Sequence, residues 1–305
     1  MAAGPVIVAS QFLMDRREDW AEGLAVALPG EVAVAERDTV RVIATGGDAF
    51  DHGLLDRFPN VRLVACFSTG YGGIDLGSLR QKGVALTTAA GVNAHDVADQ
   101  AVALFLAKWN GIVAADRAVR SGTWRQGIAP RRSLRGRRAG IVGLGRIGSA
   151  IAARLAAHDM QIAWWGPRER PGVVWPRMES LRALAGWADA LFIACRSDPA
   201  NAGLIDAATI AALGPDGVLV NVSRGNLVDE TALRRALQDG TLGGAGLDVF
   251  AQEPSDPSVW RPLANAVLSP HLAGHTQEGG RAMFDQLGEN IRRFLAGEPL
   301  LTPPD

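Results

Sequence analysis

The chain has 305 residues, 31 lysines and arginines against 32 aspartates and glutamates, a formal charge of −1, and 48% hydrophobic residues. That length predicts about two domains, each able to bury a core, and the near-neutral balance leaves no electrostatic footprint for nucleic acid or an anionic membrane. No run of about 18 apolar residues could span a bilayer, the opening M-A-A-G-P-V-I-V-A lacks the regions of a signal peptide, and the isolated Cys66 and Cys195 make neither a disulfide framework nor a C-x-x-C metal clip; a cytoplasmic protein with no metal site is expected.

In chain order, Val6–Ala9, Val40–Ala44, Val61–Phe67 and Val84–Thr87 are short apolar runs, separated by polar stretches with helical spacing such as Asp15–Leu28. Near-continuous apolarity of this length predicts strands buried on both faces of a parallel sheet. A long helical pattern follows from His95 to about Arg120, its apolar face opened by Val97, Ala101, Leu104 and Leu106. A helix of that length is able to bridge two lobes. The arginine-rich R-R-S-L-R-G-R-R (131–138) has no aromatic platform beside it and reads as a solvated turn before a strand.

A second series begins at Ala139. Its strands are predicted at Ala139–Val142, Gln161–Trp165, Ala190–Cys195, Val218–Val222, Gly244–Val249 and Ala266–Leu268, with helices starting near Ile147, Met178, Asp206 and Asp229, and a last helix over Gln277–Leu295. Strict alternation with short connections predicts a doubly wound α/β sheet. The layout is then a smaller lobe built from both chain ends, with a second lobe inserted between them.

G-L-G-R-I-G (143–148) joins the first strand of that series to its helix. Gly143 permits the tight turn, Gly145 lets the backbone approach a pyrophosphate, and Gly148 allows close helix–strand packing. Arg146 and Ile147 stand in the same turn, at a helix N-terminus suited to phosphate. The next strand ends in A-W-W-G-P-R-E-R, with Gly166 where an acidic residue would accept from the adenosine ribose, and Arg168 and Arg170 beyond it. Loss of the anion and gain of guanidinium groups suits a 2′-phosphate, so NADPH is the expected cofactor, with NADH possible. Arg196, closing another strand, is a weaker candidate for the adenosine end.

Three further strands end in polar residues: Arg224 in N-V-S-R-G, Asp248 and Glu253 in G-L-D-V-F-A-Q-E-P, and His271 in S-P-H-L-A-G, where His275 shares the loop. Open α/β sheets bind ligands at such ends. Reduction of a 2-keto acid needs a forked cation for the carboxylate and a proton donor for the carbonyl oxygen. Arginine and a histidine backed by a carboxylate meet those needs. Spacing alone leaves His271 and His275 equal.

At these motifs, together with G-V-N-A-H-D-V-A-D-Q-A (91–101), the chain resembles the D-isomer-specific 2-hydroxyacid dehydrogenases, most closely their glyoxylate/hydroxypyruvate reductase branch. The resemblance implies two Rossmann-like parallel-sheet domains, one flavodoxin-like and one dinucleotide-binding, with an active-site cleft between them. Residues 1–94 with 277–305 would form the substrate domain and 95–276 the cofactor domain. It further implies that Arg224 clamps the substrate carboxylate, that His271 is the acid/base held by Glu253, and that Asp248 accepts from the nicotinamide carboxamide. S-T-G-Y-G-G-I-D (68–75) is similar to the family's substrate loop, which makes Thr69, Gly70 and Tyr71 substrate-binding candidates. A homodimer built mainly through the cofactor domain is implied as well. A wider pocket for aromatic or sugar-derived keto acids, lined by Tyr71, Trp124 and Trp175, is the alternative within the class; a nucleotide-sensing binding protein is the alternative outside it.

Overall fold

Apolar runs become buried strands in both halves of the chain. In the computed structural model, which describes residues 4–47, 50–125 and 130–303, the chain divides into two compact units, Met1–Asn93 with Thr276–Asp305, and Ala94–His275.

The first unit runs β1 (Val6–Val8), α1 (Gln11–Asp15), β2 (Val26–Ala27), β3 (Val42–Thr45), α2 (Gly53–Arg57), β4 (Leu63–Cys66), α3 (Leu76–Gln81) and β5 (Ala85–Thr87). All strand pairs are parallel, in the order β2-β1-β3-β4-β5, the flavodoxin-like arrangement. Period-two alternation sorts the side chains. Ile7, Ile43 and Val64 face a cluster with Leu54, Phe58 and Leu79. Val6, Val8, Val42 and Leu63 face Leu13, Trp20, Phe284, Leu287 and Ile291. The last three belong to the C-terminal helix Gln277–Ala296. At roughly 1.5–3 kcal/mol for each large apolar side chain buried, that helix is an integral layer of this unit, and it brings the chain end back.

The helical spacing over Asp15–Leu28 does not produce a helix. The helix stops at Asp15, a short 3₁₀ turn covers Arg17–Asp19, and Val26 and Ala27 pair with Val6 and Ile7. Pairing to an available sheet edge outweighs a weak local preference.

The second unit opens with α4 (Ala94–Trp109) and α5 (Ile112–Arg120), both inside this unit. The single helix expected from His95 to Arg120 is broken at Gly111, which takes φ +64°, a left-handed value open to glycine. The two pieces differ in burial: α4 buries Val97, Ala98, Ala101, Val102, Leu104 and Phe105, and α5 buries nothing.

There follow β6 (Arg138–Val142), α6 (Arg146–Ala156), β7 (Gln161–Trp165), α7 (Leu181–Trp187), β8 (Ala190–Ile193), α8 (Ala207–Leu213), β9 (Val218–Asn221), α9 (Glu230–Gln238), β10 (Gly244–Leu247), α10 (Pro257–Trp260) and β11 (Ala266–Leu268). These strands are parallel in the order β11-β10-β9-β8-β6-β7. Helices α4 and α6 cover one face and α7, α8 and α9 the other. Helix α7 begins at Leu181 rather than near Met178. Ser180 Oγ accepts the Ala183 N–H at 3.1 Å as its N-cap, and Arg177 is drawn into a parallel bridge with Trp164. The arginine-rich turn is not merely solvated. Arg132, Arg137 and Arg138 converge on Asp189, whose side chain is only 11% exposed, and Arg132 lies over the Trp109 ring. Among the described residues, no helix is long and apolar enough to cross a membrane.

Candidate active site

The second unit places Arg224, Glu253 and His271 beyond the carboxyl ends of β9, β10 and β11, three neighbouring strands. Each is held by a local device.

Asn221, the buried last residue of β9, folds the turn that follows it. Its Oδ1 accepts the Ser223 N–H at 3.0 Å, and its Nδ2 donates to the Arg224 C=O at 2.9 Å. Arg224, half-buried, donates from Nη1 to the Ser223 C=O at 2.8 Å. Beyond β10, Glu230 on α9 steadies the loop by accepting the Ala251 N–H at 2.8 Å. Glu253 divides its oxygens: Oε1 accepts the Phe250 N–H at 2.9 Å, and Oε2 lies 2.6 Å from His271 Nδ1.

His271 has φ +55°, an uncommon conformation for a residue with a side chain. The restraint comes from Asp248, which is 0% exposed. Its C=O accepts the His271 N–H at 2.8 Å, while its two carboxylate oxygens accept the Leu272 and Ala273 N–H groups at 2.9 Å each. A carboxylate oxygen has more than one lone pair, so these bonds do not by themselves exhaust Asp248 as an acceptor. The imidazole remains 44% exposed, and Nε2 has no protein partner among the described residues. A proton on Nδ1, facing the carboxylate, leaves Nε2 as the nitrogen that exchanges protons with a ligand.

The glycine turn lies where the strand order reverses between β6 and β8, the position at which doubly wound sheets bind nucleotides. Gly143 has φ +86°, and a Cβ there would stand 2.5 Å from Cys195 Cα. A Cβ on Gly148 would stand 2.0 Å from the Gly143 C=O. Gly145, by contrast, has nothing within 4 Å of the place a Cβ would take. Two glycines are therefore demanded by packing, and the third opens space at the start of α6. The α6 ladder begins with Ser149 N–H donating to the Gly145 C=O, so the first-turn amides of Ile147 and Gly148 lie outside it. Open space beside backbone N–H groups at a helix N-terminus fits a dinucleotide pyrophosphate. Burial pushes the neighbouring Cys195 thiol up to about 11, which keeps a thiolate from competing for that positive end.

At the end of β7, Arg168 is exposed and has no protein partner among the described residues. Arg196 is also exposed and forms an ion pair with Asp198 at 3.5 Å. Sequence reasoning overlooked Arg177. Its Nε and Nη2 donate to the Gly166 C=O at 3.2 and 2.8 Å. It also overlooked Asn221 and Glu230, whose partners are backbone groups without a sequence signature.

In the first unit, the loop 68–75 follows β4. Thr69 Oγ1 lies 3.1 Å from both the Ala89 C=O and Asn93 Oδ1, and Ser68 Oγ lies 2.6 Å from the Gly70 C=O. Gly73 N–H donates to the Gly47 C=O at 3.1 Å. The loop is thus tied down on both sides of Gly70 and Tyr71. No group of metal-ligating side chains occurs among the described residues.

Comparison with known proteins gives one consistent picture. A family profile described as "D-isomer specific 2-hydroxyacid dehydrogenase, NAD binding domain" matches residues 102–273. A hydroxyphenylpyruvate reductase of Plectranthus scutellarioides is 39% identical over 270 residues, covering 88% of this chain and 86% of the relative. A glyoxylate/hydroxypyruvate reductase A of Arabidopsis thaliana is 39% identical over 269 residues, with coverage of 88% and 86%. Among solved structures, an NADPH-dependent glyoxylate/hydroxypyruvate reductase of Sinorhizobium meliloti, in complex with NADP and malonate, superimposes with a TM-score of 0.86 at 35% identity, covering 98% of this chain and 96% of that one.

Proposed function

The chain belongs to the D-isomer-specific 2-hydroxyacid dehydrogenase family, and from that premise we propose that it reduces a small 2-keto acid of the glyoxylate or hydroxypyruvate type to the D-2-hydroxy acid, with NADPH as the preferred cofactor. The bound nicotinamide supplies the hydride. The chain supplies the rest. Arg224 holds the substrate carboxylate through its forked guanidinium, which a carboxylate matches in shape as well as charge. His271 Nε2 passes a proton to the carbonyl oxygen as negative charge develops there. Glu253 keeps the ring oriented through its contact with Nδ1. Asp248 accepts from the carboxamide, and Thr69, Gly70 and Tyr71 are proposed as substrate-binding residues of the first unit.

The observation that carries this reading is the 2.6 Å contact between Glu253 Oε2 and His271 Nδ1, with Glu253 Oε1 already fixed by the Phe250 amide. A histidine oriented by a carboxylate, with its far nitrogen turned loose, is an arrangement for proton transfer. The preference for NADPH rests on Gly166 in place of a ribose-binding carboxylate and on the exposed Arg168.

A second reading, reduction of aromatic 2-keto acids, is favoured by one observation: the hydroxyphenylpyruvate reductase is as similar to this chain as the glyoxylate/hydroxypyruvate reductase is. Initial rates with glyoxylate, hydroxypyruvate, hydroxyphenylpyruvate and 2-ketogluconate, each with NADPH and with NADH, decide the matter. The expected result is the highest kcat/KM for glyoxylate or hydroxypyruvate with NADPH. A higher value for hydroxyphenylpyruvate transfers the assignment to the second reading, and faster turnover with NADH removes the cofactor preference.

A further inference from the structure

Arg177 lies nine residues beyond Arg168 in sequence, yet the fold returns it to the end of the same strand. The segment Pro176–Met178 adds one parallel rung beside β7. Trp164 N–H donates to the Pro176 C=O at 3.0 Å, and Met178 N–H donates to the Trp164 C=O at 2.8 Å. Counted as a strand, this rung sits outside β7 as β7 sits outside β6, which restores the dinucleotide-fold order on that side of the sheet. Trp164 Nε1 donates to the Trp175 C=O at 3.1 Å, closing the base of the excursion that carries Arg168 and Arg170.

The Arg177 side chain is fixed more firmly than an exposed arginine ordinarily is. Nε and Nη2 share the Gly166 carbonyl, and the guanidinium carbon stands 5.9 Å from the centre of the Trp164 ring. Nη1 has no protein partner among the described residues. A permanent positive charge is therefore anchored to the very residue that occupies the place of a ribose-binding carboxylate. Arg168, one residue-pair further along, has charge but no such anchor. A pre-organised guanidinium loses little side-chain entropy when a phosphate arrives, whereas a free one must be ordered first.

From this we infer that Arg177 is a second, fixed cation of the site for the adenosine 2′-phosphate, and that it sets the preference for NADPH together with Arg168. The ligand chemistry is a phosphate monoester on the ribose of an adenosine. A ribose hydroxyl gains nothing comparable from this charge. The inference rests on the NADPH reading above and extends it to a residue outside the glycine turn and the strand-end loop.

The test is direct binding to the full chain, by calorimetry, of adenosine 2′,5′-bisphosphate and of 5′-AMP, which differ only in the 2′-phosphate. Wild-type protein is expected to bind the bisphosphate about 10- to 100-fold more tightly, the range for a hydrogen bond to a charged group. Arg177→Met is expected to remove most of that ratio and to leave 5′-AMP affinity within about twofold. Arg177→Lys keeps the charge without the two-point anchor. It is expected to fold as wild type and retain an intermediate ratio, so it decides the matter if Arg177→Met does not fold. A wild-type ratio near one ends both the NADPH reading and this inference. An undiminished ratio in Arg177→Met ends the inference alone. Equal weakening of both ligands in Arg177→Met or Arg177→Lys reduces Arg177 to a clasp on the loop, which also overturns it.

Discussion

Glu253 Oε2 lies 2.6 Å from His271 Nδ1 because the other oxygen of the same carboxylate is claimed by the Phe250 amide. Glu253→Gln turns that geometry against the histidine. The Phe250 N–H needs an acceptor, so the amide oxygen faces it and the amide NH₂ faces Nδ1. Nδ1 must then accept, which moves the proton of the neutral ring to Nε2 and removes the carboxylate that orients Nδ1. Turnover is expected to fall about 100- to 10,000-fold, the span attributed to positioned acid–base groups. NADPH affinity, followed by quenching of tryptophan fluorescence, should stay unchanged. Wild-type kcat in this variant would mean that the proton comes from elsewhere.

Asp248 supports the same histidine from beneath. Its fully buried carboxylate satisfies two backbone N–H groups of the 271–273 loop, and the loop holds His271 in its left-handed conformation. In Asp248→Asn one oxygen becomes an NH₂ that cannot accept, so one buried amide loses its partner. The expected cost is about 1–3 kcal/mol, read as a lower Tm and as faster hydrogen exchange at Leu272 or Ala273. An unshifted Tm with protected amides would show that the loop is held by other contacts.

Much of this arrangement is legible before folding, and the exceptions have physical reasons. Strands such as β3, β4, β8 and β9 are buried on every residue, and continuous apolarity marks that directly. The glycine turn is legible because Gly143 and Gly148 each carry a steric demand while Gly145 between them leaves open space. Strand β2 is not, since Val26 and Ala27 form a two-residue pairing on the sheet edge with no pattern of their own. The break at Gly111 was hidden by helical spacing on both sides of it. His271 and His275 are indistinguishable by spacing; the family resemblance picks out His271, and Glu253 lies beside it in space. Arg168 is legible from its place just beyond a predicted strand, whereas Arg177 is not, because its relevance depends on a single backbone rung to Trp164 that no periodicity announces.

The glycine turn offers a paired comparison. Gly148→Ala would push a methyl to 2.0 Å from the Gly143 carbonyl oxygen, a backbone atom that cannot step aside. Overpacking of this kind costs about 1–3 kcal/mol or more, so Tm should drop with or without ligand. Gly145→Ala meets nothing within 4 Å in the protein, so its fold should be nearly as stable as wild type. Its methyl occupies the space argued to receive the pyrophosphate, and NADPH affinity should fall about tenfold or more, the worth of one strong contact. Full affinity in Gly145→Ala would place the pyrophosphate elsewhere.

Cys195 gives a prediction about alkaline stability. Burial, the largest influence on the thiol, raises it from its ordinary 9.0 to about 11, and the nearby Asp198 acts in the same direction. The unfolded chain therefore releases this proton at a lower pH than the folded protein does. Between those values the folded state binds more protons, so stability falls as pH rises, and the contribution is complete only below the unfolded value. Its full size is on the order of 2–3 kcal/mol, from about 1.4 kcal/mol per pH unit. Cys195→Ala removes the titration, so its Tm should decline less steeply than wild type between about pH 9 and 11. The same protonated state makes native Cys195 slow toward iodoacetamide at pH 8, because the thiolate is the nucleophile. Parallel Tm curves for the two proteins, or rapid alkylation of Cys195 in the folded chain, would show that the thiol is not held in its neutral form beneath the glycine turn.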